Sequence, residues 1–534
     1  MADQTHDQQS IERGRSVAVE LIFSAATILM LVVPALVTFA SLFSSEEPDA
    51  GSRRKPIPRL SLEDGRLAAF PDEFRAWFGH SFGLRTTLLR MHAATWYLAF
   101  ETSPSERFVL GKQDWLFTTT GRSLDALRGA HPLSPAELED WRITLEARRD
   151  WLAARGTQFV FVVAPSKCAV YPELLPNSYV EADVTRRAQF IEYMQAHSDV
   201  RVVDLLPAML EAKGEDRADD HAYYPLGTHW TPRGAYHGYS AIVRELATDW
   251  SGMTPWPPSD FGSAACRTPD DLAATVFLDH YLQQVEKEMP ARRKRPNPRP
   301  PRLPRGSAVD SIWTHTDTGL PRALLLTDSY GEAVTPFLAQ HFSKLHLIVK
   351  DSFPTWVIER AQPDVVIQLY VDRFTERIRP TVQTVFDTDR IRARFAESTD
   401  VRLPASPPGT FPELTGYRVT DITGGDSLPA VLHLTSGSDG FLVDEFPAVD
   451  RVSMTVLRIV LDAPQATLLS VFYGEEGVEG YRHQRSEVLP VHAGRNEVFV
   501  VLSSPTLSGQ LLVRPGLANG DYTIHAVEVR AIAR

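Results

Sequence analysis

The sequence predicts an α/β domain, a parallel sheet covered by helices, preceded by a membrane-spanning helix and followed by a β-sandwich. Three observations predict it. The stretch Leu21–Phe43 contains no charged residue. From residue 136 to residue 375, short and continuously apolar runs alternate with helical periodicity, the pattern of strands buried on both faces. Beyond residue 400 the helical periodicity stops, and strand patterns recur between turn residues.

Composition narrows the class before any motif is read. The chain has 534 residues, 43% hydrophobic and 23% charged, which places it among globular proteins of several domains. With 67 acidic against 55 basic residues and a net charge of -12, it lacks the basic field that nucleic-acid binding uses. Cys168 and Cys266 are its only cysteines. Two thiols make neither a disulfide framework nor a four-thiolate metal site, although one bridge stays open in an oxidising compartment.

Taken in order, residues 1–20 read as a cytoplasmic tail and Leu21–Phe43 as a transmembrane anchor. As a helix that stretch is about 35 Å long, enough to cross a bilayer core. A cleaved signal is the competing reading, but its apolar stretch is normally shorter and Ser41–Ser44 is a loose match to a cleavage site. Residues 44–60 form a linker and 61–395 the α/β domain. Its strands are expected at Phe159–Ala164, Val200–Leu206, Ala323–Thr327, Leu345–Val349 and Val365–Tyr370. Helices are expected near 136–154, 184–197, 232–249, 332–343 and 353–361. Residues 287–306 are a basic Pro/Arg-rich insertion whose prolines forbid a regular helix. Residues 400–534 are the sandwich, with Phe472, Tyr473 and Tyr481 as its aromatic platforms if it binds carbohydrate.

Parallel sheets place ligands at the carboxyl ends of their strands, so candidate chemistry is sought there. Ser329 lies where the run Ala323–Thr327 meets a helix. Backbone N–H groups and the helix dipole at such a corner can stabilise an oxyanion. The structural alternative is that Ser329 or Asp328 only caps the helix. His229 lies at a second corner, before Thr231 and Pro232, a favourable N-cap and first helical residue. His221, His229 and His237 show no metal-ligand spacing, and no cofactor motif is present.

Several pieces together resemble the AlgJ/AlgX family of alginate O-acetyltransferases. They are the apolar anchor, Gly111–Phe117, Ala164-Pro165-Ser166-Lys167 with Tyr171-Pro172, Thr228-His229-Trp230, Thr327-Asp328-Ser329-Tyr330, and Pro363-Asp364-Val365-Val366 leading to Asp372-Arg373-Phe374. The resemblance covers residues 60–385 in the family's order, with the histidine motif before the serine motif. It implies an SGNH-hydrolase-like fold and acetyl transfer to an exported polysaccharide, with Ser329 as nucleophile and His229 as base. It implies no cofactor, and a membrane-embedded acyltransferase as the source of acetyl. The chain would be a single-pass protein of the inner membrane with its catalytic domain in the periplasm. Lys167, Tyr171, Tyr330 and Arg373 are expected to line the substrate cleft.

The chain departs from that pattern twice. Gly227 stands where the family's acid precedes the histidine, and Thr327 replaces the glycine before Asp-Ser. Loss of the acid can lower a serine protease's rate by about 10⁴. Three replacements are open: Asp219 or Asp220 reaching His229 Nδ1, Asp328 supplying charge from the serine side, or a backbone carbonyl orienting the ring. Two rival functions follow, a noncatalytic polysaccharide-binding scaffold of an export complex and an acetyl esterase.

Overall fold

The computed structural model describes residues 84–218, 220–262, 264–266, 271–283, 286–290, 309–350, 353–377, 388–403, 416–417, 422–423, 429–434, 440–446, 453–475, 486–502 and 507–533, with scattered positions between 24 and 79. It divides into two compact units, Met1–Ser105 with Ala273–Leu282, and Glu106–Leu272 with Gln283–Arg534. In the first, helix α1 (Arg85–Phe100) sets Arg90 against Asp279 at 3.2 Å and Tyr97 against Tyr281. The expected anchor falls partly outside the described residues. Its described positions, such as Ile28, Leu29 and Val32, are helical. Among the described residues, no helix is long and apolar enough to cross a membrane.

The second unit opens with a ribbon of β1 (Phe108–Leu110) and β2 (Leu116–Thr118). The main sheet contains β3 (Gln158–Ala164), β4 (Val202–Asp204), β7 (Ser311–Thr314), β8 (Arg322–Thr327), β9 (Lys344–Val349) and β10 (Val365–Val371). A small separate ribbon, β5 (Ala264–Cys266) with β6 (Glu286–Glu288), lies between β4 and β7 in sequence. Strand order in the main sheet is β4-β3-β10-β8-β9-β7. The first five are parallel, as expected, but β7 runs antiparallel to β9. The sheet is therefore mixed. The link from β7 to β8 is too short for the crossover of a dozen or more residues that a parallel connection needs.

Alternate residues of the strands feed two cores, because successive side chains point to opposite faces. Val160, Val162, Ala164, Leu325, Ile367 and Leu369 pack on one face with α6 (Pro232–Leu246) and α7 (Tyr330–Leu338). Phe159, Phe161, Val163, Leu324, Leu326 and Val366 pack on the other with α2 (Pro135–Ala153), α4 (Arg186–His197) and α8 (Thr355–Ala361). Two further helices, α3 (Lys167–Val170) and α5 (Leu206–Gly214), fall between these in sequence. Helix α2 starts where Ser134 and Glu137 cap each other's backbone N–H and Pro135 takes the first turn. Its inward positions Trp141, Leu145, Arg148 and Leu152 recur at helical spacing.

Beyond residue 400, β14 (Ala430–Leu434), β16 (Ser453–Ala463), β19 (Gly494–Leu502) and β21 (Gly520–Ala533) build one antiparallel sheet, extended by β11 (Val401–Leu403) and β13 (Ile422–Thr423). A second contains β12 (Gly416–Tyr417), β15 (Gly440–Phe446), β17 (Thr467–Glu475), β18 (Ser486–Val491) and β20 (Leu507–Arg514). Residues of both sheets share one apolar core, including Leu457, Ile459, Val471, Leu511 and Val529. The turn signals near Gly494 and Gly520 are corners where the chain crosses between sheets, and both glycines have positive φ. Phe472 and Tyr473 are 6% and 3% exposed. They belong to the interior and are not stacking platforms; Tyr481 lies outside the described residues, as do 291–306 of the basic insertion.

Candidate active site

The loop that carries His229 is held at both ends. Tyr223 and Trp230 form an antiparallel bridge, and Tyr224 N–H donates to the His229 carbonyl at 3.1 Å. Thr231 then caps α6 through a bond from Gly234 N–H, as its position before Pro232 predicts. From the other side β8 delivers Ser329 to the mouth of α7. The two corners meet. Nε2 of His229 stands 2.9 Å from Oγ of Ser329, across a separation of 100 residues.

Two further bonds close a clasp around that pair. Tyr330 O–H donates to the Thr228 carbonyl at 2.6 Å, and Trp230 Nε1–H donates to the Tyr330 carbonyl at 3.2 Å. Thus each catalytic candidate has a neighbour bonded to the opposite corner. Tyr330 is fully buried, with its ring against both His229 and Trp230. Burial pushes its phenol well above the ordinary range, so it is a neutral donor to Thr228 and not a lining residue for substrate.

Lys167, expected in the cleft, is 4% exposed. Its ammonium donates to the carbonyls of Leu116, Tyr224, Pro225 and Gly227. A buried charge needs such partners, and here they are the backbone of β2 and of the turn just before His229. Tyr171 is also internal: its O–H donates to Asp216 Oδ2 at 2.7 Å and its oxygen accepts Ala222 N–H at 3.0 Å. Burial opposes the charge of Asp216, yet the bonds from His221, Tyr171 and Arg233 hold its pKa below the ordinary carboxylate value. This network supports the base of the His229 loop.

Two of the acids weighed for the triad, Asp328 and Asp220, hold other bonds. Asp328 accepts Tyr330 N–H through Oδ1 and Val371 N–H through Oδ2, both at 3.0 Å, tying the start of α7 to the end of β10. Gly331 N–H donates to the Asp328 carbonyl. The first two N–H groups of α7, expected for an oxyanion, are therefore already engaged. Asp220 accepts from Arg233 Nε at 3.3 Å, and Asp219 lies outside the described residues. Among the described residues, the Thr228 hydroxyl lies 3.1 Å from His229 Nδ1. Sequence reasoning missed it because a hydroxyl next to a histidine in a Thr-His-Trp string gives no signal of orientation.

Arg373 is the remaining residue expected in the cleft. It follows β10, is half-buried, and sets its guanidinium 5.8 Å from the Tyr330 ring centre. Cys168 is a buried free thiol, pushed up to about 12 by burial. Among the described residues, Glu211, Glu215 and His237 bring ligand atoms within 4.8 Å of one another at the surface, a grouping with no regular spacing in sequence.

Residues 108–344 match the family described as SGNH hydrolase-like domain, acetyltransferase AlgX. The chain is 26% identical over 295 residues to the probable alginate O-acetylase AlgJ of Pseudomonas aeruginosa, spanning 53% of this chain and 70% of that one. It is 25% identical over 186 residues to the protein of the same description from Azotobacter vinelandii, covering 35% and 43%. Among solved structures, Pseudomonas aeruginosa AlgX superposes with a TM-score of 0.37 at 16% identity, covering 82% of this chain and 96% of that one.

Proposed function

From an AlgJ/AlgX-like SGNH hydrolase domain over residues 108–344, we propose that the protein transfers acetyl groups to hydroxyls of an exported bacterial polysaccharide through an acetyl-serine at Ser329. The observation that carries this reading is the 2.9 Å approach of His229 Nε2 to Ser329 Oγ, within the range for proton transfer from a nucleophile to its base.

In the first half-reaction Ser329 Oγ attacks the acetyl carbon of the donor as its proton passes to His229 Nε2. The Oγ–carbon bond forms, the donor's bond to that carbon breaks, and the leaving group takes the proton from Nε2. In the second, a sugar hydroxyl gives its proton to Nε2 and attacks the acetyl carbon, and Ser329 leaves with that proton restored. Water must be kept from the acetyl-enzyme for transfer to outrun hydrolysis. In this proposal Leu21–Phe43 holds the domain on the periplasmic face of the inner membrane, and a membrane-embedded acyltransferase supplies acetyl. Arg373 is the cleft residue of the set.

The test is incubation of the full chain with an activated acetyl ester and an oligosaccharide acceptor, following acetylated sugar and free acetate. Wild type should form acetylated sugar, and Ser329→Ala and His229→Ala should lower that rate by about 10³ or more. Acetate release without acetylated sugar would convert the reading to an esterase. Wild-type rates in Ser329→Ala would remove Ser329 as the nucleophile, and a wild type that forms neither acetylated sugar nor acetate would leave only a polysaccharide-binding scaffold.

A further inference from the structure

We propose that the hydroxyl of Thr228 is the positioning group for His229, in the role the family pattern gives to a carboxylate. This rests on the reading of Ser329 and His229 as nucleophile and base. Three observations place Thr228 there. Its Oγ1 lies 3.1 Å from His229 Nδ1. Its carbonyl is fixed by the Tyr330 O–H at 2.6 Å, so the peptide that bears the hydroxyl is anchored to the helix that bears Ser329. The turn before it is pinned by Lys167, which bonds the carbonyls of Tyr224, Pro225 and Gly227. Gly227, where the family's acid would stand, has no side chain to offer.

The proton inventory follows from the two ring nitrogens. With Nδ1–H donated to Thr228 Oγ1, the lone pair of the neutral imidazole is at Nε2, facing Ser329 Oγ. When Ser329 attacks, Nε2 takes the proton and both N–H groups of the imidazolium are bonded or in transfer. Thr228 stays a neutral alcohol throughout. It accepts from Nδ1–H in the tautomer the reaction uses and fixes the ring angle, but adds no negative charge beside the imidazolium. Its contribution is therefore that of a hydrogen bond, about tenfold in rate, against about 10⁴ for a triad carboxylate.

The experiment measures the rate at which phenylmethylsulfonyl fluoride labels Ser329 in the full chain, as a function of pH, alongside kcat and KM for acetyl transfer. Thr228→Val matches the shape of threonine and keeps the carbonyl that Tyr330 uses. It should lower the plateau labelling rate and kcat by about tenfold with KM and the thermal unfolding midpoint unchanged, and Thr228→Ser should stay within about twofold of wild type. Thr228→Val labelling at the wild-type rate, while His229→Ala does not label, overturns the proposal and leaves the dyad standing. So does Thr228→Ser falling as far as Thr228→Val, or Asp219→Asn falling as far as His229→Ala. Undiminished labelling in both His229→Ala and Ser329→Ala removes the dyad itself, and this proposal with it.

Discussion

A β-carbon at Gly331 would stand 2.3 Å from both Cγ2 and Oγ1 of Thr327. Thr327 is fully buried and, among the described residues, its hydroxyl has no hydrogen-bond partner, so its part here is steric. The two positions bracket Ser329: a threonine stands where a glycine is expected before Asp-Ser, and a glycine lies two residues after the serine. A β-branched side chain has little rotamer freedom with which to escape. Gly331→Ala should therefore lower stability by about 1–3 kcal/mol, measured by urea unfolding, and adding Thr327→Gly should restore most of it. If the single variant is as stable as wild type, or the double variant no better than the single, the two residues do not share this space.

At the scale of elements, the site is a meeting of two loop-to-helix corners, and the loop corner depends on Lys167. Its ammonium gathers carbonyls from β2 and from the turn at residues 224–227, while Trp115 and Phe117 flank it. Charge-assisted hydrogen bonds are stronger than neutral ones, and carbonyls left without a donor carry a desolvation penalty. Lys167→Met keeps the length of the stem and removes the donor. It should lower stability by about 3 kcal/mol and slow Ser329 labelling further than that loss of folded protein explains, because the freed turn leads directly into Thr228 and His229. Equal losses in stability and labelling would show that Lys167 supports the fold without positioning the base.

At the scale of the whole molecule, the main sheet continues into the strand-rich region through specific bonds. Lys350, after β9, donates to Ser486 Oγ at 3.2 Å, and Trp356 Nε1–H donates to the Val488 carbonyl at 2.7 Å. Val488 joins the apolar cluster of the α2 face. The stability of this assembly is expected to depend on acid through His346 in β9, whose burial lowers its pKa from 6.5 to about 4. In that interval the unfolded histidine binds a proton and the folded one does not, so stability must fall as pH drops from 6.5 to about 4. The contribution is about 3 kcal/mol, and His346→Leu should flatten the pH dependence of the urea midpoint across that window. Asp216 acts lower: its folded pKa lies below the ordinary 3.8, so its contribution is present above that value and is lost as pH falls through the lower one. A midpoint in His346→Leu that still declines between pH 6.5 and 4 as in wild type would assign the acid response to other groups.

Periodicity alone determined the elements that place the site. The apolar runs at 159–164, 323–327, 345–349 and 365–370 are β3, β8, β9 and β10 to within a residue at either end, because strands buried on both faces leave an unbroken apolar signature. The Thr231-Pro232 signal likewise marks the true start of α6. The four-residue edge strand β7 has no such signature, and its direction follows from the short link to β8. What only the tertiary structure decided was partnership. A lysine, a tyrosine or an aspartate near a motif reads as a cleft residue in one dimension, whereas Lys167, Tyr171, Tyr330 and Asp328 are buried and committed to backbone groups of the two corners. Thr228 reads as nothing at all. Sequence patterns report how much of each residue is hidden from water along its own element; which donor meets which acceptor across 100 residues is a property of the packed chain.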